Sequence, residues 1–348
     1  MNYFNNKRVL VTGVCGTVGG ELVRQLLLKY KVGELTGIDN NESELFFLDQ
    51  KYNNYKNTNL LLADIRDKEK LIRVMRGIDI VFHAAAYKHV ALCEKSPYEA
   101  IQTNILGVRN IVLASSEAGV EKVIFTSSDK AVNPTNVMGT SKLMGERLIT
   151  AANSGYRDCN TIFVSTRFGN VLGSRGSVIP IFRDQIKAGN SITLTDPKMT
   201  RFIMSIKQAI ELVVDSATFA VGGEVFVTKM PVIRISDLAE VMKAELAPQY
   251  GYDPEDIEVK VIGSKPGEKV YEELMTDEET VRAIELERYF CVQPAYEPYY
   301  RESDYTYSGV LSTTLDQAYN SANEQALSRH DLKTFLNEND LLEGDKSP

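Results

Sequence analysis

A chain of 348 residues, 43% of them hydrophobic and 25% charged, is long enough to bury one large core with a smaller lobe appended. Lys+Arg 39 against Asp+Glu 47 leaves a net charge of −8, which argues against a nonspecific hold on nucleic acid or anionic lipid and still permits a local basic pocket for a small anion. Cys15, Cys93, Cys159 and Cys291 form no Cys-x-x-Cys pair and the histidines stand far apart, so reduced thiols, no metal cluster and a cytoplasmic protein are expected.

The N-terminal residues 1–7 are polar and lead straight into a strand-like run, which reads as no signal peptide. No window approaches the roughly 20 apolar residues of a membrane span. Apolar bursts suited to buried parallel strands recur at Arg8–Thr12, Glu34–Asp39, Asn59–Ala63, Asp79–His83, Lys122–Ser127, Thr161–Arg167 and Glu224–Thr228, with helix-compatible segments between most of them. That alternation predicts an α/β fold with a doubly wound parallel sheet and a smaller C-terminal lobe. Residues 1–172, joined again by 208–235, are assigned to the sheet domain, 173–207 and 236–330 to the lobe, and 331–348 to a tail.

The first strand runs into VTGVCGTVGG and then a helix whose Val18, Leu22, Val23, Leu26 and Leu27 share one face. Gly13, Gly16 and Gly19 in this turn allow backbone amides to approach a pyrophosphate at the helix N-terminus; Thr17 and Val18 open the helix there. Asp39 closes the second strand about twenty residues further on, as needed to accept hydrogen bonds from adenosine ribose hydroxyls; its other reading is a cap for the next helix. Asn40, Asn41 and Glu42 beside it offer no arginine for a 2′-phosphate, so NAD is the expected cofactor. Asp64 and Ile65 are placed beside the adenine, and Ala84, Ala85 and Ala86 form a small-residue loop for the cofactor to lie against.

Phe125 to Lys142 reads FTSSDKAVNPTNVMGTSK. Nucleotide-cofactor oxidoreductases usually carry a tyrosine four residues before such a lysine, whereas Met138 stands here and a thioether cannot take a proton. Asp129 and Lys130 lie just past a strand, at the sheet edge where ligands bind, and offer an acid and a base side by side.

With the glycine turn and Asp39, the segments HAAAYKHV, Asn104, SSDKAVNPTNVMGTSK, TRFGNVLGSRGSVIPIF, TDPKMTRFIMS and GSKPGEKVYEEL make the chain similar to the extended short-chain dehydrogenase/reductases. Within them it resembles the nucleotide-sugar 4,6-dehydratases acting on UDP-N-acetylglucosamine, over roughly residues 5 to 280. A branch with a Ser-Met-Lys set is similar in carrying methionine in place of tyrosine, which makes Met138 a subclass mark. The resemblance implies oxidation at C4 of the sugar, loss of water across C5 and C6, and return of the hydride to C6. It implies Asp129 as the acid at the C6 hydroxyl, Lys130 as the base at C5, Ser128 on the C4 hydroxyl, and Lys142 on the nicotinamide ribose. The group that takes the C4 hydroxyl proton is left open among Asp129, Ser128 through water, and Lys142. Asn104 is expected with the cofactor. Lys88, Asn170, Ser177, Val178, Arg201, Lys265 and Glu268 are expected on the nucleotide sugar, with the Arg201 fork on phosphate oxygens.

Helices at Tyr98–Ala118 and Met138–Ala152 are the pair through which relatives dimerise, so a homodimer or larger homo-oligomer is expected. Tyr289 to Tyr307 is read as packing or a subunit contact, and Ala326–Leu336 as a short capped helix. Retention at C5 and UDP are favoured; inversion, GDP-linked sugar, a 4-epimerase and a non-catalytic NAD-sensing regulator are the other readings.

Overall fold

The computed structural model describes residues 3–155, 160–174, 176–264, 266–296 and 303–342. The chain opens as strands and helices in turn: β1 (Arg8–Thr12), α1 (Thr17–Leu28), β2 (Glu34–Asp39), α2 (Glu42–Tyr52), β3 (Thr58–Leu62), α3 (Lys68–Met75) and β4 (Ile80–His83). Short helices α4 (Val90–Lys95) and α5 (Pro97–Ala100) lead through a π-helical stretch, Ile101–Gly107, into α6 (Val108–Ala118). Then come β5 (Lys122–Thr126), α7 (Val137–Gly155), β6 (Ile162–Arg167), β7 (Asn170–Val171), α8 (Val178–Lys187), β8 (Ile192–Leu194), β9 (Thr200–Met204), α9 (Ile206–Phe219) and β10 (Val225–Thr228). The chain continues with β11 (Val232–Arg234), α10 (Ile235–Leu246), β12 (Val259–Val261), α11 (Asp277–Thr280), β13 (Ala283–Leu286), β14 (Tyr289–Val292), β15 (Val310–Ser312) and α12 (Arg329–Glu338).

Seven of these strands pair in parallel in the order β3-β2-β1-β4-β5-β6-β10. They coincide with the seven apolar bursts to within one residue at each end, because strands covered on both faces must be continuously apolar. Every residue of β4, β5 and β10 is buried, whereas the edge strand β3 leaves Leu61 and Leu62 exposed. The order reverses at β1 and β4, where the carboxyl ends of the strands diverge and open a crevice.

Strands β13, β14 and β15, in a segment read from the sequence as part of the smaller lobe, instead extend the main sheet, with β14 pairing antiparallel to β10, and β13 and β15 following. Two tyrosines of this region bond to the sheet domain: Tyr289 donates to Asp215 at 2.6 Å and Tyr305 to the Gly222 carbonyl at 2.7 Å, while Tyr299 and Tyr300 lie outside the described residues. A second apolar cluster, with Ile179, Phe182, Leu238, Met242, Leu332 and Leu336 at its centre, packs α8, α10 and α12 together beside the small parallel pair β8 and β12. Helix α12 starts later than Ala326 because Ser328 is its cap, accepting from the Asp331 N–H at 3.2 Å.

Candidate active site

The turn after β1 is shaped by close approach. Gly13 has φ +75°, and a Cβ there would lie 2.7 Å from the Ala85 backbone, so only glycine lets the turn lie against the loop that follows β4. Together they bound a cleft of about 280 Å³ at the sheet's switch point. Gly16, Asp39, Asp64, Ile65 and the loop Ala84–Ala86 complete its wall. Gly19 is buried in α1, Thr17 opens that helix, and Val18 packs against the core.

Asp39 accepts hydrogen bonds from the N–H groups of Cys15 and Asn41, both at 2.9 Å. The cap of α2 is Asn41, which accepts from Glu44 at 3.2 Å, so Asp39 is free of that duty. Arg66, 2.7 Å away, donates to Asp64 and holds its carboxyl below the ordinary value against the opposing effect of burial. Asn104, expected on the cofactor, is turned inward: its amide pairs with both the N–H and the carbonyl of Tyr87 and donates to Ser141 at 2.9 Å. It braces the loop after β4 against α7.

Past β5 the backbone makes a single turn of 3₁₀ helix at Asp129–Ala131. Ser128 donates to Asp129 at 2.6 Å, and Lys130 Nζ sits 3.1 Å and 3.3 Å from the two carboxylate oxygens. Asp129 is 1% exposed. Burial favours the neutral amine of Lys130, but the carboxylates of Asp129 and Glu272 outweigh it and lift Lys130 above the ordinary lysine value. The neutral base expected there is therefore an ammonium in this arrangement.

Met138 is buried with Cys93 and Ala100 in a small apolar cluster, which explains why a thioether is accommodated. Lys142, one turn further along α7, donates to the Thr126 carbonyl at 2.9 Å and lies 4.8 Å over the Phe125 ring. Burial lowers it to about 8, with Glu146 opposing. A buried lysine of this kind destabilises the folded chain while it is charged. Lys142→Met is thus expected to stabilise the ligand-free protein at neutral pH by about 1–3 kcal/mol, the cost of about 1.4 kcal/mol per depressed pKa unit less the lost hydrogen bond. The penalty is full below a pH of about 8 and fades as pH rises toward 10.5. Denaturant midpoints of the two proteins should therefore converge in alkali.

Lys130 also faces a larger cavity, of about 690 Å³, whose wall includes Asn170, Val178, Arg201, Glu268 and Glu272. Ser177 caps α8 beside Val178, with its hydroxyl buried and unpaired among the described residues. Lys88 is exposed and is not part of this wall, and Lys265 lies outside the described residues. Arg201 differs from expectation: its fork donates to the carbonyls of Thr200, Val270 and Lys269 at 2.7–3.1 Å, so it clamps the 269–272 segment instead of presenting free N–H groups to phosphate. Its Nε lies 3.5 Å from Glu272, whose carboxylate is 3.4 Å from Lys130.

Glu272 and Glu94 went unnoticed in the sequence. Glu94 lines the same cavity and accepts from the Val137 N–H at 2.6 Å, fixing the start of α7. The only signal for Glu272 is its place in the GEKVYEEL run, where its neighbour Glu273 is turned to Lys269 and Asn133.

Comparison with known proteins gives the family. The profile of a family described as polysaccharide biosynthesis protein matches residues 9–294. An uncharacterized membrane protein of Methanocaldococcus jannaschii is 46% identical over 337 residues, 97% of each chain. Among the described residues of the present chain, no helix is long and apolar enough to cross a membrane. A UDP-N-acetylglucosamine 4,6-dehydratase (inverting) of Campylobacter jejuni is 36% identical over 88% of this chain and 89% of its own. A UDP-glucose 4-epimerase of Rickettsia massiliae is 35% identical over 96% of each. The structure of Pen from Bacillus thuringiensis superposes with a TM-score of 0.90 at 40% identity, covering 97% of this chain and 99% of that one. The profile match across most of the chain, the full-length relatives and the doubly wound sheet together make this protein a member of the polysaccharide biosynthesis protein family, built on the Rossmann fold of the extended short-chain dehydrogenase/reductases.

Proposed function

We propose that this protein is an NAD-dependent nucleotide-sugar 4,6-dehydratase that acts on UDP-N-acetylglucosamine. The observation that carries the reading is the buried Asp129 held 3.1 Å from Lys130, with Lys130 on the wall of a cavity large enough for a sugar nucleotide. Elimination across C5 and C6 needs such a pair, whereas exchange of configuration at C4 alone does not. The cleft fits the cofactor: the Gly13 turn has room only for backbone against the Ala84–Ala86 loop, and Asp39 presents a carboxylate to a ribose.

When bound, NAD supplies the hydride acceptor at C4 and the donor at C6. Gly13, Gly16 and Gly19, with Thr17 and Val18, would hold the pyrophosphate; Asp39 the adenosine ribose; Asp64 and Ile65 the adenine; and Lys142 the nicotinamide ribose. Ser128 hydrogen-bonds the C4 hydroxyl and passes its proton to Asp129, 2.6 Å away, as C4 becomes a ketone; Lys130 then removes the C5 proton, and Asp129 delivers the proton it received to the departing C6 hydroxyl. Asn170, Ser177, Val178 and Glu268 line the path of the nucleotide. Exposed Tyr98, Ile101 and Leu106 on the helical stretch before α6, with exposed Met144 on α7, support pairing of two copies through these helices.

The test is incubation of the purified protein with UDP-N-acetylglucosamine in deuterated buffer without added NAD. Loss of one water with deuterium at C5 is the expected result. An epimerised product of unchanged mass would favour the second reading, which the Rickettsia relative supports. No change, with GDP-linked sugar and added NAD tried as well, would overturn both. The sequence favoured retention at C5, while the Campylobacter relative carries inversion in its name. Borohydride reduction of product made in ordinary water, followed by the H4–H5 coupling, decides between them.

A further inference from the structure

Glu272 is a charged side chain beside Lys130 for which the proposed reaction has no task. It is 3% exposed and lines the cavity. One carboxylate oxygen, Oε1, faces Lys130 and Arg201, while Oε2 is buried with no hydrogen-bond partner among the described residues. An ionised oxygen left without a donor in a protein interior is costly, and a proton on it relieves the cost. Burial and the charge of Asp129 push the Glu272 carboxyl up; Lys130, Arg201 and Lys269 act against them. Lys130, by contrast, holds a proton that it must shed before it can act as a base.

We propose that Glu272 is a third proton-carrying member of the acid–base group, accepting the ammonium proton of Lys130 so that a free amine faces C5 of the sugar. The inference rests on the dehydratase reading. In the step, an N–H bond of Lys130 breaks and an O–H bond forms on Glu272, so the group as a whole neither gains nor loses a proton. Asp129 is reserved for the proton that leaves the C4 hydroxyl, and Arg201 stays a cation throughout. Glu272 acts through Lys130 and does not touch the reacting carbon, which makes it a positioning residue for the proton.

Two measurements test this. With [13Cδ]glutamate-labelled protein and no substrate, the Glu272 signal, assigned by its absence in Glu272→Gln, should titrate above the ordinary glutamate value of about 4.3. Its midpoint should rise further in Lys130→Met, which removes a cation from it. A midpoint in the ordinary range, or one indifferent to Lys130→Met, overturns the proposal whatever the enzyme catalyses. In turnover, Glu272→Gln should lose roughly tenfold or more in kcat near neutral pH and regain it toward alkaline pH with a slope of about one in log kcat, because Lys130 can then lose its proton only to solvent. KM should stay nearly unchanged. A Glu272 that merely supported the fold would lower kcat by one factor at every pH, and such a parallel profile sinks the inference while the dehydratase reading stands. Absence of dehydration by the wild type sinks that reading instead, and the carboxyl titration then decides the place of Glu272 alone.

Discussion

Lys130→Met is expected to lower turnover of UDP-N-acetylglucosamine by about 10²–10⁴-fold, the usual contribution of a general base. The reason lies in the order of events. Oxidation at C4 makes the C5 proton acidic, but the proton still needs an acceptor, and Lys130 is the amine on the cavity wall beside an acid. Methionine keeps much of the side-chain volume and removes the basic atom, so KM should change little. Lys130→Arg separates charge from basicity: the guanidinium restores a cation between Asp129 and Glu272 and cannot be deprotonated in a protein, so it should not rescue turnover. Quenched-flow sampling under single-turnover conditions distinguishes the step affected. With the base gone, the 4-keto hexose with its C6 hydroxyl intact should accumulate on the enzyme, whereas the wild type passes through it. Turnover of Lys130→Met within tenfold of the wild type would place the base elsewhere. Removing Lys130 also leaves two buried carboxylates with one cation fewer, so melting temperatures of the variants must be recorded beside the rates.

What was legible in the sequence follows from which constraints are local. Seven parallel strands announced themselves because burial on both faces imposes a continuous apolar run, and the glycine turn because Gly13 sits where any side chain meets the Ala85 backbone. Strands β13 to β15 did not, since nothing local distinguishes a short strand added to a sheet edge from one in a separate lobe. The Asp129–Lys130 pair was legible as adjacent residues after a strand. Its third partner was not: Glu272 and Glu273 are neighbours of identical chemistry, and only the docking of their segment on β9 turns one toward Lys130 and the other toward Lys269. The same docking turns Arg201 onto backbone carbonyls. Asn104 was misplaced for a related reason, because the π-helical stretch 101–107 that aims its amide at Tyr87 and Ser141 leaves no mark in the pattern of apolar residues.

The segment that carries Glu272 is itself tied down by Arg167, and Arg167→Met is expected to cost about 3–5 kcal/mol of stability, the usual result of breaking a buried ion pair by removing one partner. Arg167 ends β6 at 2% exposure. Its guanidinium donates to both oxygens of Glu146 on α7, to both oxygens of Glu279 on α11, and to the Leu274 carbonyl, at 2.7–3.1 Å. Methionine fills part of the space and leaves two buried carboxylates facing each other, with Arg282, 3.9 Å from Glu279, as the remaining cation. Against a total stability of about 5–15 kcal/mol, that loss would move the urea midpoint and the melting temperature far outside experimental error. The pH dependence identifies the cause. Burial alone would raise the Glu279 carboxyl, and Arg167 outweighs it and holds the group below its ordinary value. In the wild type Glu279 therefore contributes stability that is present above the unfolded glutamate value of about 4.3 and is lost as pH falls through the lower folded value. In Arg167→Met that contribution is gone at neutral pH, so the gap between the two proteins should narrow as the solution is acidified. A second variant, Arg167→Met with Glu146→Leu and Glu279→Leu, removes all three charges together and should recover most of the stability, because apolar groups of similar volume replace a buried ion cluster at little net cost. Failure of the triple variant to recover would mean that the hydrogen bonds lost outside the ion cluster dominate: the Leu274 carbonyl left without its donor and the Thr276 N–H left without Glu279, which caps α11 at 3.0 Å. Loss of turnover in the single variant beyond its loss of folded protein would show that the Arg167 tie also sets the position of Glu272 beside Lys130.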